Sequence, residues 1–265
     1  SKNNASGRDK FFQMSITPAY AHSYLLTAVL SNDYVDITGD GPTEDDLGNY
    51  TKINYRRTSK DYRWRSPFLP DGTKSAQYNP GYYSDKGDDK ASYIAGSKEL
   101  WYIHSIESKN YIAEFYISER SDAKGVTEEA LISLNDVAAL SSLGTKTDQS
   151  LRQKSASGEE RTYKLDYIKL FHKNDRFVNG NNAIPVKTVN FKYETNTNAQ
   201  LCKGVPNVTT QGTGKLTLKS ISFQNGNSDI SLMNPYEFEY SAHNPDYSFI
   251  SKDRWGNYQQ PDPGI

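Results

Sequence analysis

A pattern that recurs four times along the chain limits the folds open to it more than any other feature. Each copy has a run rich in leucine and isoleucine, a loop of variable length, and a second run in which aromatic residues alternate with polar ones. Such alternation is typical of half-buried β-strands. The copies comprise 24–30 with 50–56, 100–106 with 111–117, 163–170 with 186–193, and 216–223 with 236–240. Each copy is therefore predicted to be an antiparallel β-hairpin.

The four hairpins are predicted to share one sheet, because a single hairpin cannot bury its own apolar face. We expect a mostly β fold in which consecutive antiparallel hairpins lie side by side in one long or rolled sheet. The short turn at Ser108-Lys109-Asn110 specifies the second hairpin most strongly. Residues 1–265 are predicted to form a single β-rich module that is a segment of a longer polypeptide.

One segment has helical rather than strand periodicity. Within 127–142, the apolar residues that share a helical face are Leu131, Leu134, Val137, Ala138 and Leu140. Thr127 is a candidate N-cap, and Gly144 is a candidate stop after the last apolar position. The sequence therefore predicts one helix over 127–142, followed by a mobile polar loop over 143–160.

Composition narrows the class of protein. The 265 residues include 20 Tyr, 10 Phe and 3 Trp, an aromatic share that disordered chains lack. A net charge of −1 argues against a generally basic nucleic-acid binder, and no apolar run is long enough to span a membrane. The single cysteine, Cys202, cannot form an intrachain disulfide. We therefore expect a folded, tyrosine-rich protein that neither binds nucleic acid nor spans a membrane.

The hairpin units lead into a short motif near the end of the sequence. They have the form L-x-x-I followed by aromatic-x-aromatic, and the motif is Asp253-Arg254-Trp255-Gly256-Asn257-Tyr258. Over residues 20–260, this arrangement resembles the large Rhs/YD-repeat proteins of Bacteroidetes, in which such units run into a D-x-W-G-x-Y segment. The loop from Tyr34 to Gly48 resembles segments of the same proteins. The resemblance implies a β-sheet wall of a large secreted or cell-surface protein, whose partners are other segments of the same chain.

The acidic loop over 36–46 is the strongest candidate for a metal site. Its carboxylates are Asp36, Asp40, Glu44, Asp45 and Asp46, with no Lys or Arg between them. Oxygen side chains at alternate positions, with glycine at the bend, are typical of Ca²⁺ loops, although Leu47 occupies the position where an EF-hand has glutamate. We predict Asp36, Asp40, Glu44 and Asp46 as Ca²⁺ ligands. The alternative is an acidic turn whose Asp side chains bond their own backbone.

A second candidate site combines aromatic and basic residues in the segment that follows. Its members are Tyr55, Tyr62, Arg63 and Trp64. Aromatic faces beside positive charges can stack against a sugar or a base and hold it. The alternative is a strand in which long basic side chains cover aromatic surface.

The function predicted from these features is a structural or interaction module of a large exported or cell-surface bacterial protein, such as an Rhs-like shell or adhesin segment. The sequence contains neither a G-x-S-x-G elbow nor an H-E-x-x-H motif, and we assign no catalytic residue. Two alternatives stay open: a calcium-assisted module that binds glycans or the cell surface, and a hydrolase that acts on a polysaccharide or an ester.

Overall fold

The structure is a computed structural model, which describes residues 15–66, 94–125, 161–205, 208, 213–228, 233–241, 244–247 and 257–258. Its strands are β1 Ala28–Leu30, β2 Tyr50–Ser66, β3 Ile94–Glu107, β4 Tyr111–Lys124, β5 Arg161–His172, β6 Lys187–Tyr193, β7 Leu218–Asn225 and β8 Tyr236–Glu237. Among these residues one α-helix, α1, spans Lys173–Asn179, and a short 3-10 helix follows it over Gly180–Asn182. The helix predicted over 127–142, the loop predicted over 143–160 and Trp255 lie outside the described residues.

The eight strands form one open antiparallel sheet in which each strand lies beside the next one in sequence. All four predicted hairpins are confirmed, because β1 pairs with β2, β3 with β4, β5 with β6, and β7 with β8. Antiparallel pairs of β2 with β3, β4 with β5, and β6 with β7 join the hairpins into the continuous sheet. The predicted mostly β fold is therefore confirmed, and β1 and β8 are the two edges of the sheet.

The second and third strands are longer than the alternation of residues indicates. β2 pairs with β3 from Lys52 opposite Glu107 to Ser66 opposite Ile94, with three register shifts along the way. Among the described residues, β3 pairs with β4 only near the connecting turn, over 105–107 and 112–114. The distal parts of β2 and β3, residues 55–66 and 94–103, therefore continue as a two-stranded unit that we call the β2–β3 ribbon.

The two faces of the sheet differ in polarity. Directly paired residues share a face, so the register shows which side chains lie together. One face carries two apolar rows that cross the strands. The first row is Ile53, Ile106, Ala113 and Leu170, and the second is Phe115, Ile168, Val189 and Phe223. The other face carries the row Asn54, Ser105, Glu114, Lys169, Thr188, Gln224. We call these the apolar and polar faces; the side chains in both apolar rows are only half-buried.

The interior of the described part of the chain is small and unusually polar. Its buried apolar side chains are Tyr50, Tyr62, Phe171, Ala183, Pro185, Val205 and Val208. Its buried polar or charged ones are Asp46, Ser59, Arg63, Ser105, Asp122, Thr188, Thr217, Ser220 and Ser222. A buried polar group destabilises a fold unless it is hydrogen-bonded. The fold therefore depends on specific polar contacts as well as on apolar packing.

The helix α1 is not predicted by the sequence, because none of its seven residues is buried and no apolar periodicity marks it. Tertiary contacts hold it instead. Arg176 Nε donates to Glu114 Oε1 at 2.7 Å, and the Arg176 guanidinium lies over the Phe171 ring at 5.2 Å from its centroid. Among the described residues, no helix has the length and apolar character needed to cross a membrane.

Candidate functional site

The acidic loop lies within the connection from β1 to β2 and is closed at its base. Val35 and Leu47 form a β-bridge with two backbone hydrogen bonds of 3.1 and 3.2 Å. Gly48 has a positive φ of 76°, and a Cβ there would lie 2.6 Å from the backbone of Asp33. Only glycine combines this conformation with so close an approach. The sequence therefore folds this connection into a compact loop.

Two of the four predicted metal ligands bind the backbone of their own loop. The buried carboxylate of Asp46 accepts hydrogen bonds from Thr43 N at 2.8 Å, Ile37 N at 3.1 Å and Tyr34 Oη at 2.8 Å. The carboxylate of Asp36 accepts from Gly39 N at 2.6 Å and Gly41 N at 3.0 Å. These hydrogen bonds match the alternative to a Ca²⁺ site, which is an acidic turn whose Asp side chains bond their own backbone.

The other two predicted ligands lie on the outside of the loop. Asp40 Oδ1 accepts from the Thr38 hydroxyl at 2.7 Å, and Glu44 forms an ion pair with Lys173 at 3.3 Å. Lys109 Nζ also donates to the carbonyl oxygen of Asp46 at 2.6 Å. Lys109 in the β3–β4 turn and Lys173 at the start of α1 therefore supply the positive charge that residues 36–46 lack.

Calcium binding by this loop stays a prediction. Among the described residues, no three His, Cys, Asp or Glu side chains are grouped so that they could hold a metal ion. If the loop takes Ca²⁺, about 1 mM calcium should raise the melting temperature above its value in chelator. Asp40→Ala should remove this difference, whereas Glu119→Ala, which changes an acid on β4, should keep it. Equal melting temperatures for the wild-type protein in calcium and in chelator would contradict metal binding.

The pKa of Asp46 gives a second test of the loop. The hydrogen bond from Thr43 N–H, helped by the Tyr34 hydroxyl, holds this pKa below its ordinary value of 3.8. A carboxyl with a lowered pKa stabilises the folded loop above its unfolded pKa and loses that contribution as the pH falls through the folded value. We expect the side-chain carboxyl of Asp46 to titrate in NMR with a midpoint below 3.8, and Tyr34→Phe to raise that midpoint. A midpoint at or above 3.8 would contradict the described hydrogen bonds.

The four predicted aromatic and basic binding residues are engaged in packing. Tyr62 and Arg63 are buried, and Arg63 forms an ion pair with Asp61 at 3.0 Å. The Tyr55 hydroxyl donates to Leu26 O at 2.9 Å. Trp64 packs so closely on Gly96 that a Cβ there would lie 3.2 Å from the indole ring. The structure does not bring these residues together on one open surface, and ligand binding by them stays a prediction.

The β2–β3 ribbon also carries an exposed aromatic side chain that the sequence pattern does not single out. Trp101 on β3 is 44% exposed, and its indole N–H donates to Glu99 Oε2 at 2.8 Å. Arg57, opposite Trp101 in the register, lies 5.4 Å from the ring centroid and pairs with Glu99 at 3.2 Å. The spacing of Glu99 and Trp101 predicts a shared face. The position of Arg57 depends on the register and could not be found from the sequence.

A buried ion pair lies at the far end of β4. Asp122 is 1% exposed and accepts two hydrogen bonds from Arg120, at 2.9 and 2.8 Å. It also accepts from Leu216 N at 2.7 Å. Burial acts to raise the pKa of Asp122, but the Arg120 guanidinium and the Leu216 N–H outweigh it and lower that pKa. The hydrogen bond from Leu216 N to Asp122 therefore connects β4 to the segment that leads into β7.

Comparison with known proteins adds no assignment to these sites. No family model matches the chain, and neither the curated proteins nor the solved structures include a match to it.

Proposed function

We propose that this chain is a structural and interaction β-module of a large exported or cell-surface bacterial protein, such as an Rhs-like shell or adhesin segment. The observation that carries the proposal is the open sheet, whose two edge strands bear exposed apolar side chains. At one edge these are Val29 and Leu30 of β1, and at the other they include Tyr236 of β8.

Edge strands of this kind favour pairing with further strands. The outer edge of a sheet presents backbone N–H and C=O groups that can form hydrogen bonds with another segment. Soluble proteins usually block such pairing with short edge strands, charged residues or proline. β1, Ala28–Leu30, is short but contains no charged residue or proline, whereas β8, Tyr236–Glu237, carries one acid and follows Pro235. We expect other segments of the same large protein to occupy these edges.

The half-buried apolar face supports the same proposal. The row from Ile53 to Leu170 contains no charged side chain until it reaches Lys187, opposite Leu170, and each residue in the two apolar rows keeps part of its surface exposed. Covering such a face is favourable by about 25 cal/mol for each Å² of apolar surface removed from water. A module that is one wall of a larger assembly would bury this face against its neighbours.

Association through the edges can be tested on the isolated chain. We expect wild-type protein to self-associate with rising concentration in sedimentation velocity, because its edges lack their partners. Val29→Lys and Tyr236→Lys should each reduce this association, since a charge opposes pairing at an edge. Phe177→Lys is the matched control, because Phe177 is 88% exposed on α1, away from both edge strands. Association that is unchanged by both edge variants would contradict the edges as interaction surfaces.

The location and size of the parent protein can be tested in cells. We expect antibodies against this chain to label intact cells of the source bacterium and to detect a band well above 29.9 kDa on an immunoblot. External protease should remove that band without breaking the cells. A band of 29.9 kDa that is found only in the cytosolic fraction would contradict the proposal.

A further inference from the structure

The exposed indole of Trp101 is held in one orientation. Trp101 lies within β3 rather than at a loop tip, and its ring is contacted on the neighbouring strand by Arg57. Glu99 accepts from the indole N–H and pairs with Arg57, so that each of the three side chains contacts the other two. An aromatic ring fixed in this way can bind a ligand without first losing conformational freedom.

The three side chains together offer the contacts that a sugar ring needs. A pyranose presents C–H groups on its faces and hydroxyl groups around its edge, which suit an aromatic surface with nearby polar groups. Arg57 and Glu99 keep 34% and 50% of their side-chain surface exposed. A carboxylate and a guanidinium have more hydrogen-bonding positions than their mutual contacts use, so both can also bind hydroxyls.

Trp101, Arg57 and Glu99 together carry one positive and one negative charge, and this balance favours a neutral ligand. Arg57 and Glu99 neutralise each other at 3.2 Å, and the Trp101 ring that both of them contact is uncharged. We propose that Trp101, Arg57 and Glu99 form a binding subsite for a neutral sugar residue of a glycan. This inference goes beyond the structural role proposed above, and it concerns residues other than those predicted from the sequence.

The test is titration of the intact chain with neutral hexasaccharides. The probes are β-1,4-glucan, β-1,3-glucan, β-1,4-xylan and β-1,4-linked N-acetylglucosamine hexamers, followed by calorimetry and by tryptophan fluorescence. We expect at least one probe to bind with a Kd of about 1 mM or tighter. Trp101→Ala should weaken that binding at least about tenfold, and Trp101→Phe should retain part of it.

Matched variants separate the subsite from general effects on the fold. Glu99→Gln keeps the shape of the side chain but breaks the ion pair, so it should weaken binding severalfold. Phe177→Ala removes an exposed aromatic ring elsewhere and should leave binding unchanged. Circular dichroism and the melting temperature show whether each variant is folded. A folded Trp101→Ala that binds like the wild type would overturn the proposal.

Two further outcomes would also overturn it. One is the absence of binding to every hexasaccharide of the panel. The other is binding only to a heparin hexasaccharide or to a twelve-nucleotide oligo-dT, lost at high salt, which would assign the ribbon to polyanions. The proposed structural role is tested separately by the edge variants, so either proposal can fail without the other.

Discussion

Phe171→Ala is expected to lower the free energy of unfolding by about 3–5 kcal/mol. Phe171 is 3% exposed, which makes it one of the most completely buried apolar side chains of the described sheet. It lies opposite Ile112 in the register, and the Arg176 guanidinium covers its ring at 5.2 Å from the centroid. Removing the ring would leave a cavity and release the side chain that anchors α1. Equilibrium unfolding in urea, followed by circular dichroism, measures the loss.

The control for this prediction is Phe177→Ala, which makes the same substitution at an 88% exposed site. We expect it to change the free energy of unfolding by no more than about 0.5 kcal/mol. If Phe171→Ala cost as little as the control, the ring of Phe171 would not be part of the buried interior.

Asp122→Ala is expected to lower the free energy of unfolding by about 3 kcal/mol, because it breaks a buried ion pair by removing one partner. Two groups lose their acceptor: the Arg120 guanidinium, whose side chain is 28% exposed, and the backbone N–H of Leu216. Because Arg120 is partly exposed, we expect the loss of unfolding free energy to lie at the lower end of the range for breaking buried ion pairs. The same urea unfolding experiment measures it.

Two variants on β4 serve as controls. Glu119→Ala removes an exposed partner that lies 3.7 Å from Arg161, and we expect a loss below about 1 kcal/mol. Asp122→Asn keeps an oxygen that can accept from Leu216 N, so its loss should be smaller than that of Asp122→Ala. Equal losses for Asp122→Ala and Glu119→Ala would show that burial does not strengthen the Asp122 contacts.

The order of the strands could be predicted because it depends on the alternation of apolar and polar residues within each strand and on the connections between consecutive strands. In β6 the apolar residues Val189, Phe191 and Tyr193 recur at every second position, which predicts a strand. The short turn Ser108-Lys109-Asn110 between β3 and β4 leaves no room for a parallel crossover, so it predicts antiparallel pairing. The strand lengths could not be predicted, because pairing to a partner extends a strand beyond its own pattern. β2 continues to Ser66 since β3 provides a ladder as far as Ile94.

The candidate sites depend on tertiary structure more than the strands do. The sequence predicts that the loop over 36–46 is compact and acidic, because its carboxylates and glycines are close in sequence. It does not predict that Lys109 and Lys173 contact that loop, since they come from distant turns. It also does not predict α1, which Arg176 holds through Glu114 on β4.

The sequence by itself therefore determined the mostly β class, the four hairpins and the acidic loop of this protein, since each arises from residues near one another in the chain. Only the tertiary structure decided which polar groups are buried and which aromatic groups are exposed. Asp122 is buried because Arg120 and Leu216 N–H satisfy its carboxylate, and Trp101 is held exposed by Arg57 across the ribbon. The Trp101 contact depends on the register between β2 and β3, and the Asp122 contact depends on the segment before β7 lying against β4, so each joins separate parts of the chain.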